Sequence, residues 1–262
     1  MKSLISLFLI LVLVGCDTVT VTQIIKLETD TYISSADFTN HSALPYLKVS
    51  KGSTGEERTI VKIPTGKNRD KQDDNLEELL KNPLFVLAGG YFFITLAILN
   101  KILSCDSSNI ITPDNLTSAK LIFDVTDNQE GTLSSKMNLQ LLSKPWWQHA
   151  TWDNAYYFSS KGRWSSKGGD TDPTFQPVTN SSSANTTIEF DITTYFKSLI
   201  TAQETTHFGM LVSPMAALNG VTLASTQYSG LGQRPRVEAV YTGKCVKGSS
   251  SGVAKTYFLG SD

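Results

Sequence analysis

Residues 145–174 read PWWQHATWDNAYYFSSKGRWSSKGGDTDPT and hold all four tryptophans of the chain, two adjacent tyrosines and a Gly-Gly-Asp turn. Trp and Tyr combine a large apolar face with a polar handle. Gathering them in a segment punctuated by Gly, Ser and Asp makes either a core plug or a ligand platform. Both need a scaffold, and the runs on either side have the grammar of strands. Upstream, SAKLIFDV (118–125) and KMNLQLLS (136–143) are joined by a polar turn through Asn128 and Gly131. Downstream, Ile188, Phe190 and Ile192 alternate with Glu189 and Asp191, the period of a half-buried strand.

Further out the pattern continues. TYIS (31–34), YLKVS (46–50) and RTIVKI (58–63) precede the segment, and FGMLVSP (208–214), VTLAST (221–226) and PRVEAVY (235–241) follow it. Short β-rich runs separated by Gly, Ser and Asn turns predict an antiparallel sandwich and not alternating strands and helices. One short helix is expected at TTYFKSLITA (193–202), capped by Asp191 or Thr193, with Tyr195, Phe196, Leu199 and Ile200 on one face. Residues 17–28 read as a tether or a first strand, the second half favouring strand, and residues 243–262 as a Gly/Ser/Lys-rich tail of no assigned structure.

Residues 65–115 interrupt this rhythm. Asp74-Asn75-Leu76-Glu77 has the capping-box arrangement ahead of LEELLK, and 84–99 carry no charge. That apolar run is shorter than the ~20 residues a spanning helix needs and contains Gly89-Gly90, so it is read as a mostly helical insertion with Phe92, Leu96, Leu99 and Leu103 on one stripe.

The first sixteen residues, MKSLISLFLILVLVGC, begin with a Lys, run apolar and end in Leu13-Val14-Gly15-Cys16. This matches a lipoprotein signal and lipobox, with Cys16 as the lipidated residue and a bacterial membrane, at the cell surface or on the periplasmic face, as the destination. Taking away residues 1–15 leaves 22 basic against 24 acidic residues, a net charge of −2. Such a balance lacks the basic excess of a nucleic-acid binder. Cys105 and Cys245 are the remaining cysteines, read equally as one disulfide or as two buried thiols. The three histidines, His41, His149 and His207, have no zinc spacing, and the G-x-S-x-G match at 248–252 lies in a flexible tract.

From residue 29 to 241, the insertion aside, the chain resembles the DNRLRE-domain proteins, grouped with the family-96 carbohydrate-binding modules. TDTYIS with YLKVSKGSTGEERTIVKI is similar to that family's opening, and TSAKLIFDV to its "I-x-SA-x-L" strand. PWWQHATWDN followed by SSKGGDTDPT is similar to its "W-x-E-x-x-x-TWNN … GGD" segment. IEFDITTYFKSLI, HFGMLVSP and Gln233-Arg234-Pro235-Arg236-Val237 are similar to its closing elements. Gln148-His149 replaces the family's acidic residue, Asp153-Asn154 its paired Asn, and Lys62 stands alone for its arginine-rich opening. The resemblance implies a jelly-roll β-sandwich over residues 29–242, extracellular and noncatalytic, with Trp147 and Trp152 filling the core.

Sugar binding needs aromatic faces for a pyranose and planar polar groups for its hydroxyls. Tyr156, Tyr157 and Trp164 are the candidate platforms, Asp153, Asn154 and Asp170 the candidate polar partners, and Lys161, Arg163 and Lys167 suit an acidic chain. Asp170 and Asp172 are candidates for structural calcium, and no other cofactor is expected. The expectation is therefore a surface-anchored lipoprotein that binds polysaccharide without chemistry and touches the membrane through its lipid only. The alternatives are a structural or adhesive protein contacting other surface proteins through the insertion, and, less favoured, a polysaccharide lyase or hydrolase.

Overall fold

A computed structural model describes residues 17–37, 39–64, 111–156, 162–201, 207–245 and 256–259. The signal and Cys16, residues 65–110 of the insertion, Cys105, Tyr157 and Lys161 lie outside the described residues. So does any pairing of Cys105 with Cys245, which ends a strand.

The described chain is mostly antiparallel β-structure with one α-helix. Its strands are β1 (Asp17–Lys26), β2 (Thr29–Ser34), β3 (Tyr46–Gly52), β4 (Gly55–Lys62), β5 (Leu116–Asn128), β6 (Met137–Leu141), β7 (Val178–Thr179), β8 (Ser181–Ser183), β9 (Thr187–Asp191), β10 (Met210–Pro214), β11 (Leu218–Ala224), β12 (Arg236–Cys245) and β13 (Thr256–Leu259). Hydrogen bonding runs in the order β13-β1-β12-β5-β11-β3-β4-β10-β6-β7, with β9 also on β5, β8 on β9, and β2 on β4. All pairs but β1 with β13 are antiparallel.

The long strand β5 turns this ribbon into a sandwich-like body. Its first part pairs with β12 and β9, and its last part, from Val125 to Asn128, crosses to β11. A strand that serves two sheets makes the sheet curl over, which encloses one core between its halves. Alternation in each strand then fills that core. Leu121 and Phe123 of β5, Ile188 and Phe190 of β9, Leu139 of β6, Met210 and Val212 of β10 and Val237 and Ala239 of β12 are all buried there. The helix α1 (Thr193–Thr201) plugs one side with Phe196 and Leu199. Asp191 accepts the Thr193 N–H at 2.9 Å, and the Thr193 hydroxyl oxygen accepts the Ala119 N–H at 2.9 Å, which ties the helix start to β5.

Two boundaries sharpen the sequence expectation. Residues 17–26 are strand throughout, paired with β12 from Asp17↔Cys245 to Lys26↔Arg236, which is the first-strand alternative extended to its whole length. In the tail, 243–245 extend β12 and 256–259 add a parallel strand beside β1. Among the described residues no helix is long and apolar enough to cross a membrane.

Candidate functional site

The aromatic segment lies between β6 and β7 and packs against the face of β2, β4 and β10 that points away from the main core. Register fixes that face: Thr31 pairs with Ile60 and Ile60 with Leu211, so Ile33, Ile60 and Leu211 line up on one side while Val61, Met210 and Val212 point to the other. Leu142, Ala150, Ala155 and Trp164 bury against this floor, with Trp146, Trp152 and Tyr156 half-buried around them.

Trp164 is a core residue. It is 5% exposed, and its indole N–H donates to the Thr151 carbonyl at 2.9 Å. A sugar cannot reach the ring, and this corrects the expectation of a platform at Trp164. The reason is local. Trp164 N–H bonds Asp153 O at 3.1 Å and the Ala155 N–H bonds Gly162 O at 2.7 Å, which folds 151–156 and 162–164 face to face and turns the ring inward. At Gly162 a Cβ would fall 2.7 Å from Tyr156 Cβ, so only glycine permits the closure. Trp147 is the opposite case and a second correction, since it was expected in the core and is 47% exposed. Trp152 is half-buried, stacked under the Arg58 guanidinium at 4.9 Å. Arg58 in turn donates to Gly168 O at 2.9 Å and pairs with Glu56 at 2.7 Å.

The polar candidates divide in the same way. Asp170 is buried, and its two oxygens accept the Ser165 and Ser166 N–H groups at 2.8 and 2.6 Å. Burial alone would raise its pKa, and these bonds carry it net below the usual carboxylate value. Asp172 accepts both the N–H and hydroxyl of Thr174 at 2.8 and 2.7 Å. Both carboxylates therefore hold turns, and among the described residues no three His, Cys, Asp or Glu side chains gather as a metal site. Asp153 pairs with Lys167 at 3.1 Å, and Asn154 bridges to Arg163 across the small hairpin. Arg163 is exposed, and its carbonyl receives the ammonium of Lys144.

The open surface lies at the other limb of the segment. His149 meets Trp147 edge to face, ring centroids 5.0 Å apart at 74°. The Asn40 side-chain amide, from the turn between β2 and β3, donates to His149 Nδ1. An exposed indole, an imidazole and a carboxamide from two loops thus share one patch. In the sequence Gln148-His149 is a departure from the motif of the resembled family, and Asn40 is only part of the Asn/His/Ser punctuation between strands. The pairing across 109 residues joins loops that no local pattern links.

No family model matches the chain, and no curated protein matches it.

Proposed function

We propose that the chain is a DNRLRE-type jelly-roll β-sandwich, lipid-anchored at Cys16 and exported, that binds extracellular polysaccharide without chemistry. The observation that carries the reading is Trp147. An indole left 47% exposed on a loop that is otherwise packed onto the sheet is a pre-formed apolar face. A pyranose laid on it brings its hydroxyls within reach of the His149 ring and the Asn40 carboxamide, the pairing of stacking and planar polar groups that sugars require. Lys144, Arg163 and Lys167 belong to the same segment and favour a chain bearing carboxylates, such as a uronate polymer. The proposed platform thus moves from Trp164 to Trp147, with Asp153, Asn154 and Arg163 retained as proposed polar partners.

A glycan array followed by affinity electrophoresis tests this. Retention of an acidic polysaccharide, lost in Trp147→Ala at an unchanged melting temperature, supports it. No retained glycan, or retention indifferent to Trp147, rejects it. Release of reducing ends or unsaturated sugars would point to a lyase or hydrolase, and self-association lost on deleting residues 70–110 to the adhesive alternative.

A further inference from the structure

The turn that delivers Asn40 is anchored by a buried histidine. His41 is 7% exposed and lies flat on Tyr32 of β2, ring centroids 4.0 Å apart at 8°. Leu44 N–H closes the turn onto His41 O at 3.1 Å, and Ser42 N–H bonds Asn40 Oδ1 at 2.8 Å. With its oxygen held by Ser42, the Asn40 amide offers its NH₂ to His149, and a donor there demands the unprotonated lone pair of Nδ1. His41 is constrained too. Its Nε2 makes no hydrogen bond among the described residues and sits 3.7 Å from Asp37 Oδ2.

We infer that His41, Asn40 and His149 form an acid-released latch that positions the Asn40 carboxamide at the patch, so that the protein lets its polysaccharide go in mildly acidic surroundings. The inference rests on the reading of Trp147 and His149 as the ligand surface. The Asn40 amide needs an acceptor at His149 Nδ1 and cannot rotate without losing Ser42, so its place at the patch depends on the turn staying closed. A proton on His41 places a charge in a buried stack. The groups facing it are Tyr32, Asp37, Glu57 and Lys48, the last 5.7 Å from the centroids of Tyr32 and Tyr46. Burial holds the imidazole below the ordinary histidine range, with Lys48 acting the same way and Asp37 and Glu57 against it. An open turn with a hydrated His41 titrates normally, so acid favours the open form. Protonation of His41 therefore opens the turn and withdraws Asn40, and His41 acts as a positioning residue.

Polysaccharide retention and histidine and indole NMR signals are followed together on the full chain. Between about pH 7.5 and about pH 5, retention should fall by about tenfold, and the Trp147 indole N–H should shift with the same midpoint. Asn40→Ala, an exposed site, should bind weakly and with little pH dependence. His41→Phe keeps a ring against Tyr32 and takes no proton, so its acid loss should largely disappear. Retention that is level across this range, or an Asn40→Ala protein as acid-labile as the parent, overturns the latch. If no glycan is retained at any pH while the Trp147 signal follows acid only when Asn40 is present, the carbohydrate reading falls and the latch stands.

Discussion

The molecule has two apolar layers made on different plans. Between the halves of the curled sheet, the core is aliphatic and phenyl, set by strand alternation, with Phe123 and Phe190 edge to face at 6.4 Å and 89°. Outside β2, β4 and β10, the second layer is a loop laid on a strand face, with Trp164 as its wedge and hydrogen bonds to the loop backbone as its frame. Sheet pairing fixes the first core whatever the loops do. The second exists only if the loop folds back, and one limb of it stays open, with Trp147 47% exposed.

The sharpest way to break the comparison is to remove one wedge from each layer. Phe190→Ala and Trp164→Ala should each cost about 3–5 kcal/mol, as large buried rings do. Because all four tryptophans lie in 145–174, indole fluorescence in a denaturant titration reports the outer layer, and far-ultraviolet circular dichroism reports the strands. The two transitions should coincide in the parent and part in Trp164→Ala, with fluorescence leading. Coincident curves in that variant would make the layers a single unit.

A smaller effect tests β2, which serves both layers. Asp30 is buried and accepts the Thr226 N–H at 2.6 Å and its hydroxyl at 2.9 Å, and burial pushes its carboxyl up to about 6. A raised folded pKa means stability that is full below the unfolded value and lost as pH rises through about 6, roughly 2–3 kcal/mol for two units. His41 has the opposite sign: its lowered pKa gives stability above the ordinary histidine value that drains as pH falls. In the parent these slopes oppose one another over mildly acidic pH. Asp30→Asn should expose the His41 loss, seen as a melting temperature that falls from about pH 7 to about pH 5 more steeply than in the parent. An equally shallow profile would mean that neither group titrates as its burial requires. Asp170→Ala should cost about 1–2 kcal/mol by stranding the Ser165 and Ser166 N–H groups, read as a lower denaturant midpoint by indole fluorescence.

Much of the inner layer was legible in the sequence, for a physical reason. Ile188, Phe190 and Ile192 alternate because each must cross a pleat, and an alternating run announces its strand without reference to any partner. The helix at 193–201 was legible likewise, through its capping Asp191 and its apolar face. β13 was not, because YFL in a Gly/Ser/Lys tail is too short to carry a period. The outer layer was misread at its two decisive rings. Gly162 and Ser165-Ser166 around Trp164 describe a loop correctly, yet they say nothing about the long-range fold-back that seals the ring under Thr151 and Asp153. Trp146-Trp147 has the mirror-image ambiguity. Trp146 donates its N–H to Phe208 O at 2.6 Å and half-buries, while its neighbour is left outside.

The smallest stability effect expected falls at the residue that carries the proposed function. Trp147 reaches the rest of the outer layer through its backbone, by the N–H to Ala155 O at 3.1 Å and the carbonyl that accepts the Ala150 N–H at 2.8 Å. Both survive Trp147→Ala. The ring buries about half its area and meets His149 at its edge, so its removal should lower the melting temperature by no more than about 2 °C, within the range of surface substitutions. An indole half in water gains little stability from its exposed half, as the proposed ligand face requires. If Trp147→Ala instead melts as low as Trp164→Ala, the open limb is a third part of the core and the contrast between the limbs disappears. If it melts like the parent and still holds polysaccharide, the stacking surface lies elsewhere on the loop, and the half-buried Tyr156 is the next ring to remove.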